Sequence, residues 1–412
     1  MTTLSVVIPA YNEENGIAEI VDRVLKIKPA LAAVGVEDLE LIVVNDASKD
    51  RTAEVVKGIA GVRLITHPVN KGYGGALKTG FSNAKGDLVG FLDADGTYPP
   101  EYFPQLCQVA MQDAELVIGS RLAGEKSQMP AIRRVGNIFF AGLLTLITRQ
   151  KVTDSASGMR VFRRDVISRI FPLPDGLNLT PVMSTRAIHE GVKIAEVPIP
   201  YSVRVGRSKL SVVKDGRIFL QSMVWTALTY NPVRILGMVG LVGMAIAFAL
   251  AVHFILGRLS GITTIQNWQV VQLCVGMVAG VTGLNIFILG IAFNYLVSLF
   301  VKQPVRHGLF GRMLFQQPLD QKFGWIGALA IVIGIVAGIT TVVLGLQTWS
   351  INSIWLYLIS SSMLILLGVQ LMIYWAILRV LDELGQRDFL TQKDLSSAEP
   401  GEYSVSPGDS VA

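Results

Sequence analysis

Only two cysteines occur in 412 residues, Cys107 in the more polar front of the chain and Cys274 in its apolar rear. That excludes a disulfide framework. Charge is scarce as well: 16% of residues are charged against 51% hydrophobic. The formal net charge of +5 is too small to read as a nucleic-acid-binding surface. The opening Met1-Thr2-Thr3-Leu4-Ser5-Val6-Val7-Ile8-Pro9 lacks the basic start of a signal peptide, and its apolar run breaks at a proline. The front half is therefore expected on the cytoplasmic side. A P-loop is missing too, because Lys71-Gly72-Tyr73-Gly74-Gly75-Ala76-Leu77 has no Gly-Lys-Ser/Thr ending.

Nearly all the excess hydrophobicity lies after residue 232. Stretches at 235–257, 270–300, 325–346 and 354–378 each reach the roughly 20 apolar residues needed to span a bilayer. The loop between the second and third carries Lys302, Arg306, Arg312 and Lys322, whereas the opposite loops carry Arg258 or no basic residue. The positive-inside rule then puts residues 1–232, the middle loop and the C-terminus in the cytoplasm. The polar tail 381–412 is expected to be disordered. Within the spans His253, Asn285 and Asn294 are polar, either functional or glue between helices.

Residues 1–232 alternate apolar strand candidates (4–9, 40–45, 63–67, 87–92, 115–119) with amphipathic helices such as 16–31 and 50–59. That order predicts an α/β fold, a mostly parallel sheet with helices on both faces and ligands beyond the strand ends. Polar clusters fall at those ends: Pro9-Ala10-Tyr11-Asn12-Glu13, Asn45-Asp46-Ala47-Ser48 and Asp93-Ala94-Asp95. Asp93 and Asp95, one residue apart at a strand end, point the same way and repel unless a cation lies between them. Mg²⁺ or Mn²⁺ suits such a pair, because it keeps part of its oxygen shell for substrate phosphates. Asp46 is placed to accept from a base or ribose, or else to serve as a turn residue. The turn at Lys71 and Gly72 offers backbone N–H groups to phosphate.

Two further stretches, 131–149 and 212–230, are apolar but basic at their margins and too short to cross a bilayer. They read as helices lying in the membrane interface, or as buried core helices.

Taken together, these segments resemble the family 2 glycosyltransferases of the GT-A fold. The matching elements are Val6-Val7-Ile8-Pro9-Ala10-Tyr11-Asn12-Glu13-Glu14, Val44-Asn45-Asp46-Ala47-Ser48, Asn70-Lys71-Gly72-Tyr73-Gly74-Gly75-Ala76 and Phe91-Leu92-Asp93-Ala94-Asp95. Gly119-Ser120-Arg121, the run from Asp154 to Phe162 and that from Tyr201 to Leu210 narrow the likeness to the dolichol-phosphate mannosyltransferase-like branch, which glycosylates polyprenyl phosphates. The resemblance implies that Pro9, Tyr11, Glu13, Asp46, Lys71, Gly72 and Asp93 bind a nucleotide-sugar donor, GDP-mannose or a UDP-hexose. It implies that Asp93 and Asp95 hold the metal–diphosphate, and that Arg121, Arg133 or Arg134, Arg204, Ser208 and Lys209 meet the acceptor phosphate. Asp95, Arg121 and Asp154 are the catalytic candidates, Asp154 as an orienter of the acceptor or a residual base, or else as a helix cap or a salt-bridge partner of Arg160. Thr97 departs from the pattern, since many mannosyltransferase relatives carry Gln there. The Gln-x-x-Arg-Trp motif of processive members is absent, Gln221-Ser222-Met223-Val224-Trp225 lacking the arginine.

The expectation is an inverting, metal-dependent transfer of one sugar to a polyprenyl phosphate, by a membrane protein that could pair with a second copy of itself. Two alternatives stand beside it: a transferase acting on a diacylglycerol-type lipid, and a lipid flippase or transporter with a degenerate transferase domain.

Overall fold

The computed structural model describes residues 2–123, 129–148, 150–202, 211–261, 266–301, 319–348 and 351–397. The chain divides into two compact units, 1–227 and 228–412. The front unit runs β1 (Thr2–Ala10), α1 (Ile17–Lys26), α2 (Lys28–Ala33), β2 (Val36–Asn45), α3 (Thr52–Lys57), β3 (Val62–Thr66) and α4 (Tyr73–Asn83). It continues with β4 (Leu88–Phe91), α5 (Phe103–Gln112), β5 (Leu116–Ser120), α6 (Ala131–Thr148), β6 (Arg160–Arg163), α7 (Val166–Ile170), α8 (Leu179–His189), β7 (Ile194–Pro198) and α9 (Val212–Tyr230).

All seven strands form one sheet in the order β3-β2-β1-β4-β6-β5-β7. Every pairing is parallel except those of β6, which runs antiparallel to both β4 and β5. Successive residues of a strand face opposite ways, so β1 feeds two cores. Leu4, Val6 and Ile8 join Ile20, Val21 and Val24 of α1 and Phe103 and Leu106 of α5. Val7 joins Ala76, Leu77 and Phe81 of α4. Gly80 lets α4 settle onto β1, since a Cβ there would lie 2.2 Å from Val7 Cγ1. Cys107 is wholly buried in the first core, and burial pushes its thiol up to about 12, so it packs as an apolar residue.

The helix expected over 16–31 is two helices, α1 and α2. Pro29 stands in the first turn of α2, where its missing N–H costs nothing, while inside a continuous helix it would remove a bond and clash. The five expected strands are present, and β6 and β7 are added to them.

The second unit contains α10 (Pro232–Leu259), α11 (Asn267–Val301), α12 (Phe323–Thr348) and α13 (Ile351–Ser397). Each holds a segment long and apolar enough to cross a membrane, and the chain is an integral membrane protein. Small residues let these helices approach closely. A Cβ on Gly240 would lie 2.6 Å from the Gly283 carbonyl, and one on Gly327 2.7 Å from that of Gly368. Asn285 accepts a hydrogen bond from Tyr374 at 2.9 Å, joining α11 to α13. The tail expected to be disordered from 381 is helical as far as Ser397. Its Leu, Glu, Gln, Arg and Lys residues are strong helix formers, which outweigh the polarity that argued for disorder. Lys302, Arg306, Arg312 and 398–412 lie outside the described residues.

Candidate active site

The loops leaving the ends of β1, β2, β4 and β5 converge on one cavity of about 460 Å³. Of the residues singled out in the sequence, Pro9, Tyr11, Glu13, Asp46, Gly72, Asp93, Asp95, Arg121 and Arg133 line it. Lys71 and Arg134 are exposed outside this lining, and Asp154 is wholly buried behind it. Arg204, Ser208 and Lys209 fall outside the described residues.

At the first two strand ends the backbone is strained. Asn12 and Ala47 adopt left-handed conformations with φ of 52° and 57°, at a cost of order 1–2 kcal/mol for a non-glycine residue. Side-chain bonds hold both loops: Asn12 N–H donates to Ser48 Oγ at 3.0 Å, and Lys49 N–H donates to Asn12 Oδ1 at 2.8 Å. Strain of this kind persists where surrounding contacts over-determine it, and such places are typically binding sites.

Asp46 is buried and already well supplied with partners. Its Oδ1 accepts from Lys71 N–H at 2.8 Å and lies 2.7 Å from His67 Nδ1, and its Oδ2 accepts from Gly72 N–H at 2.8 Å. The opposite ring nitrogen of His67 lies 2.9 Å from Thr79 Oγ1 of α4. Asp46 therefore organises the glycine-rich turn as well as lining the cavity. That turn does not present the open row of N–H groups expected of it, because Gly74 and Gly75 N–H both donate to the Asp175 carbonyl, at 2.7 and 3.1 Å. Glycine is required here: a Cβ on Gly74 would lie 2.2 Å from the Pro174 carbonyl oxygen.

Hydroxyl groups hold the paired carboxylates. Tyr73 O–H, from the first turn of α4, donates to Asp93 Oδ1 at 2.8 Å. Burial, and then the Asp93 charge, keeps the Tyr73 phenol well above its ordinary pKa, so it stays a donor. Thr97 donates its N–H (3.2 Å) and its O–H (2.6 Å) to Asp95 Oδ1. Gly158 leaves room for Asp93, since a Cβ there would lie 2.6 Å from Oδ2.

Toward β5 the pattern inverts. Arg121 makes a fork-to-fork pair with Asp154, Nε to Oδ2 and Nη2 to Oδ1 both at 2.7 Å, and its own N–H adds a third bond at 3.0 Å. The guanidinium lies over the rings of Tyr98 and Tyr201, 5.7 and 5.4 Å from their centroids. Burial opposes the charge of both partners, but their mutual attraction wins: Arg121 is raised well above its ordinary value and Asp154 is lowered. Asp154 thus pairs with Arg121 and leaves Arg160 to backbone carbonyls: Nη2 donates to Ser155 at 2.7 Å and Nε to Ser157 at 3.1 Å. With both oxygens engaged and no exposure, Asp154 is not placed to act as a base.

Tyr73, Tyr98, Tyr201, His67 and Gly158 had no role assigned from sequence. Each sits within or beside a recognised motif, and only the folded contacts reveal what it holds. The wall beyond Arg121 is largely apolar, with Met129 and with Ile132, Gly136 and Phe140 of α6 and Phe219 of α9, and Arg133 is the cation that α6 adds there.

Residues 5–171 match the family described as Glycosyl transferase family 2, and 232–392 match a domain of unknown function, DUF8752. The chain is 34% identical over 257 residues to the low-salt glycan biosynthesis hexosyltransferase Agl6 of Haloferax volcanii, covering 60% of each chain. It is 33% identical over 221 residues to the dolichyl-phosphate hexose transferase of the same organism, covering 54% of this chain and 92% of that one. It is 32% identical to the undecaprenyl-phosphate 4-deoxy-4-formamido-L-arabinose transferase of Edwardsiella ictaluri, covering 62% of this chain and 77% of the relative. Among solved structures, glucosyl-3-phosphoglycerate synthase from Mycobacterium tuberculosis, in complex with Mn²⁺, UDP and phosphoglyceric acid, is 23% identical with a TM-score of 0.44. That similarity covers 55% of this chain and 78% of the other. The parallel sheet, the carboxylates at its strand ends and relatives matched along 77% and 92% of their length agree: the chain belongs to glycosyl transferase family 2 and is a glycosyltransferase.

Proposed function

We propose that this enzyme moves one hexose from a nucleoside-diphosphate sugar to the phosphate of a membrane polyprenyl lipid, with inversion at the sugar. The donor is GDP-mannose or a UDP-hexose, and the acceptor is dolichyl or undecaprenyl phosphate. One observation carries the reading. A single cavity joins a carboxylate end, with Asp46, Asp93 and Asp95, to an end with Arg121, Arg133, Asp215 and mostly apolar side chains. A sugar diphosphate carrying a cation suits the first end, and a phosphate on a hydrocarbon chain suits the second. Two of the relatives are named for transfer to dolichyl or undecaprenyl phosphate, which supports the same acceptor class.

The donor set fits Mg²⁺ or Mn²⁺: two carboxylates, one residue apart, line one cavity. Held by Asp93 and Asp95, such an ion would supply Lewis-acid stabilisation of the leaving diphosphate. Arg121 and Arg133 would bind the acceptor phosphate, whose oxygen attacks the anomeric carbon from the face opposite the breaking C–O bond. A phosphate monoester is already an anion, so no general base is needed, in keeping with the engagement of Asp154 by Arg121. An alcohol acceptor such as diacylglycerol would need one.

Apolar side chains on α6, namely Val135, Ile138, Phe139 and Leu146, share one side of the helix and are exposed. A helix of this kind lies in the membrane interface, with its apolar side among the acyl chains. We place α6 and α9 there and the front unit in the cytoplasm, where nucleotide sugars would reach it.

Purified protein in detergent, given Mn²⁺, undecaprenyl or dolichyl phosphate and a panel of radiolabelled UDP- and GDP-sugars, tests the reading. Label entering the lipid phase and lost with EDTA is expected. Nucleotide binding without any lipid-linked label would remove the acceptor assignment.

A further inference from the structure

Thr97 is nearly fully buried and does not line the cavity, yet both of its hydrogen-bond donors meet Asp95 Oδ1. The turn between them relies on Gly96, whose φ of 74° suits glycine. The Thr97 carbonyl in turn accepts from Ser202 N–H at 3.1 Å, so its backbone is anchored from a second segment. Asp93 is pinned comparably, by Tyr73 O–H on its Oδ1. Two like charges one residue apart favour turning away from each other, and a hydroxyl restrains each: Tyr73 from a distant segment for Asp93, Thr97 from two residues on for Asp95.

We propose that Thr97 is a positioning residue that sets the Asp95 carboxylate, through its hydroxyl, for the cation that Asp93 and Asp95 would hold. The inference rests on the reading of Asp93 and Asp95 as the cation site. Thr97 itself, turned inward, contributes no third ligand. Among the described residues no group of three or more His, Cys, Asp and Glu assembles to hold a metal. A divalent ion taking six oxygens would then draw most of its shell from the diphosphate and water, and ion and nucleotide would bind cooperatively.

The test is Mn²⁺ uptake by the full-length protein in detergent, read from loss of the free-ion electron paramagnetic resonance signal, alone and with UDP or GDP. Wild type is expected to take up Mn²⁺ much more tightly with the matching nucleotide. Thr97→Ala and Thr97→Ser differ by one oxygen: Ala should weaken uptake about tenfold and Ser by less than about twofold, as for a hydrogen bond to a charged group. Thr97→Val, which keeps the volume, is a second variant without the hydroxyl should Ala fold poorly. Uptake by Ala and Val equal to wild type would remove Thr97's role and leave the cation reading standing. No uptake by wild type with either nucleotide would remove the cation reading and Thr97's role with it.

Discussion

Hydroxyls of Tyr73 and Thr97 bond Asp93 and Asp95 at one end of the cavity, and a carboxylate holds Arg121 at the other. The Tyr73 and Thr97 hydroxyls orient the two carboxylates without adding charge of their own. Asp154 fixes Arg121 and does cancel its charge, so Arg121 keeps its direction and donors but adds no net charge there. The two ends therefore differ in how their charged groups are held: by hydroxyls at the first, by an opposite charge at the second. On this view the positive charge facing the proposed anionic acceptor falls to Arg133, which lines the cavity.

The comparison breaks most directly at Asp95. Asp95→Asn keeps the shape but removes the charge, and transfer should fall by at least about 10³-fold, on the scale of a lost electrostatic anchor; label entering the lipid phase measures it. Next comes Asp154→Asn, which leaves a buried guanidinium uncompensated and should cost about 3–5 kcal/mol of stability. Adding Arg121→Gln should return much of that loss in thermal unfolding without restoring transfer, which separates support from chemistry. A smaller effect is expected of Arg133→Gln: the KM for the lipid phosphate should rise about tenfold, as for one charge-assisted contact, with donor KM unchanged. If Arg133→Gln left the acceptor KM alone, charge at that end would have to come from elsewhere.

The smallest effect is on pH. Arg121 holds Asp154 below the ordinary carboxylate range, against the pull of burial. The stability gained from the pair should be complete above the unfolded carboxylate value of about 3.9 and be lost as pH falls through the lower folded value. Melting temperatures of wild type and of the Asp154→Asn/Arg121→Gln variant, compared from pH 3 to pH 7, should diverge least at the acid end.

Much of the fold was legible because its signals are local. The apolar runs of β1 to β5, each ending in polar residues, announce a parallel sheet with ligands at its strand ends. The four membrane helices follow from length and hydropathy alone. β6 was not legible: four residues with arginine at both ends carry no periodicity, and nothing in Arg160–Arg163 indicates that the strand runs against its neighbours. That reversal brings Asp154, just before β6, to Arg121, just after β5. In the sequence Arg160, six residues on, is only one of several readings for Asp154. The glycine-rich turn misled for a related reason, since the Asp175 carbonyl that takes its N–H groups comes from a distant segment.

By itself the sequence determined where strands and membrane helices lie, and which carboxylates stand at strand ends, because side-chain periodicity and chain length act over a few residues. Which group holds which was decided only when the sheet assembled. Asp46 with His67, Asp93 with Tyr73 and Arg121 with Asp154 are 20 to 33 residues apart in the chain. A hydrogen bond or ion pair is formed by distance in space, and that distance does not exist until the strands are in register.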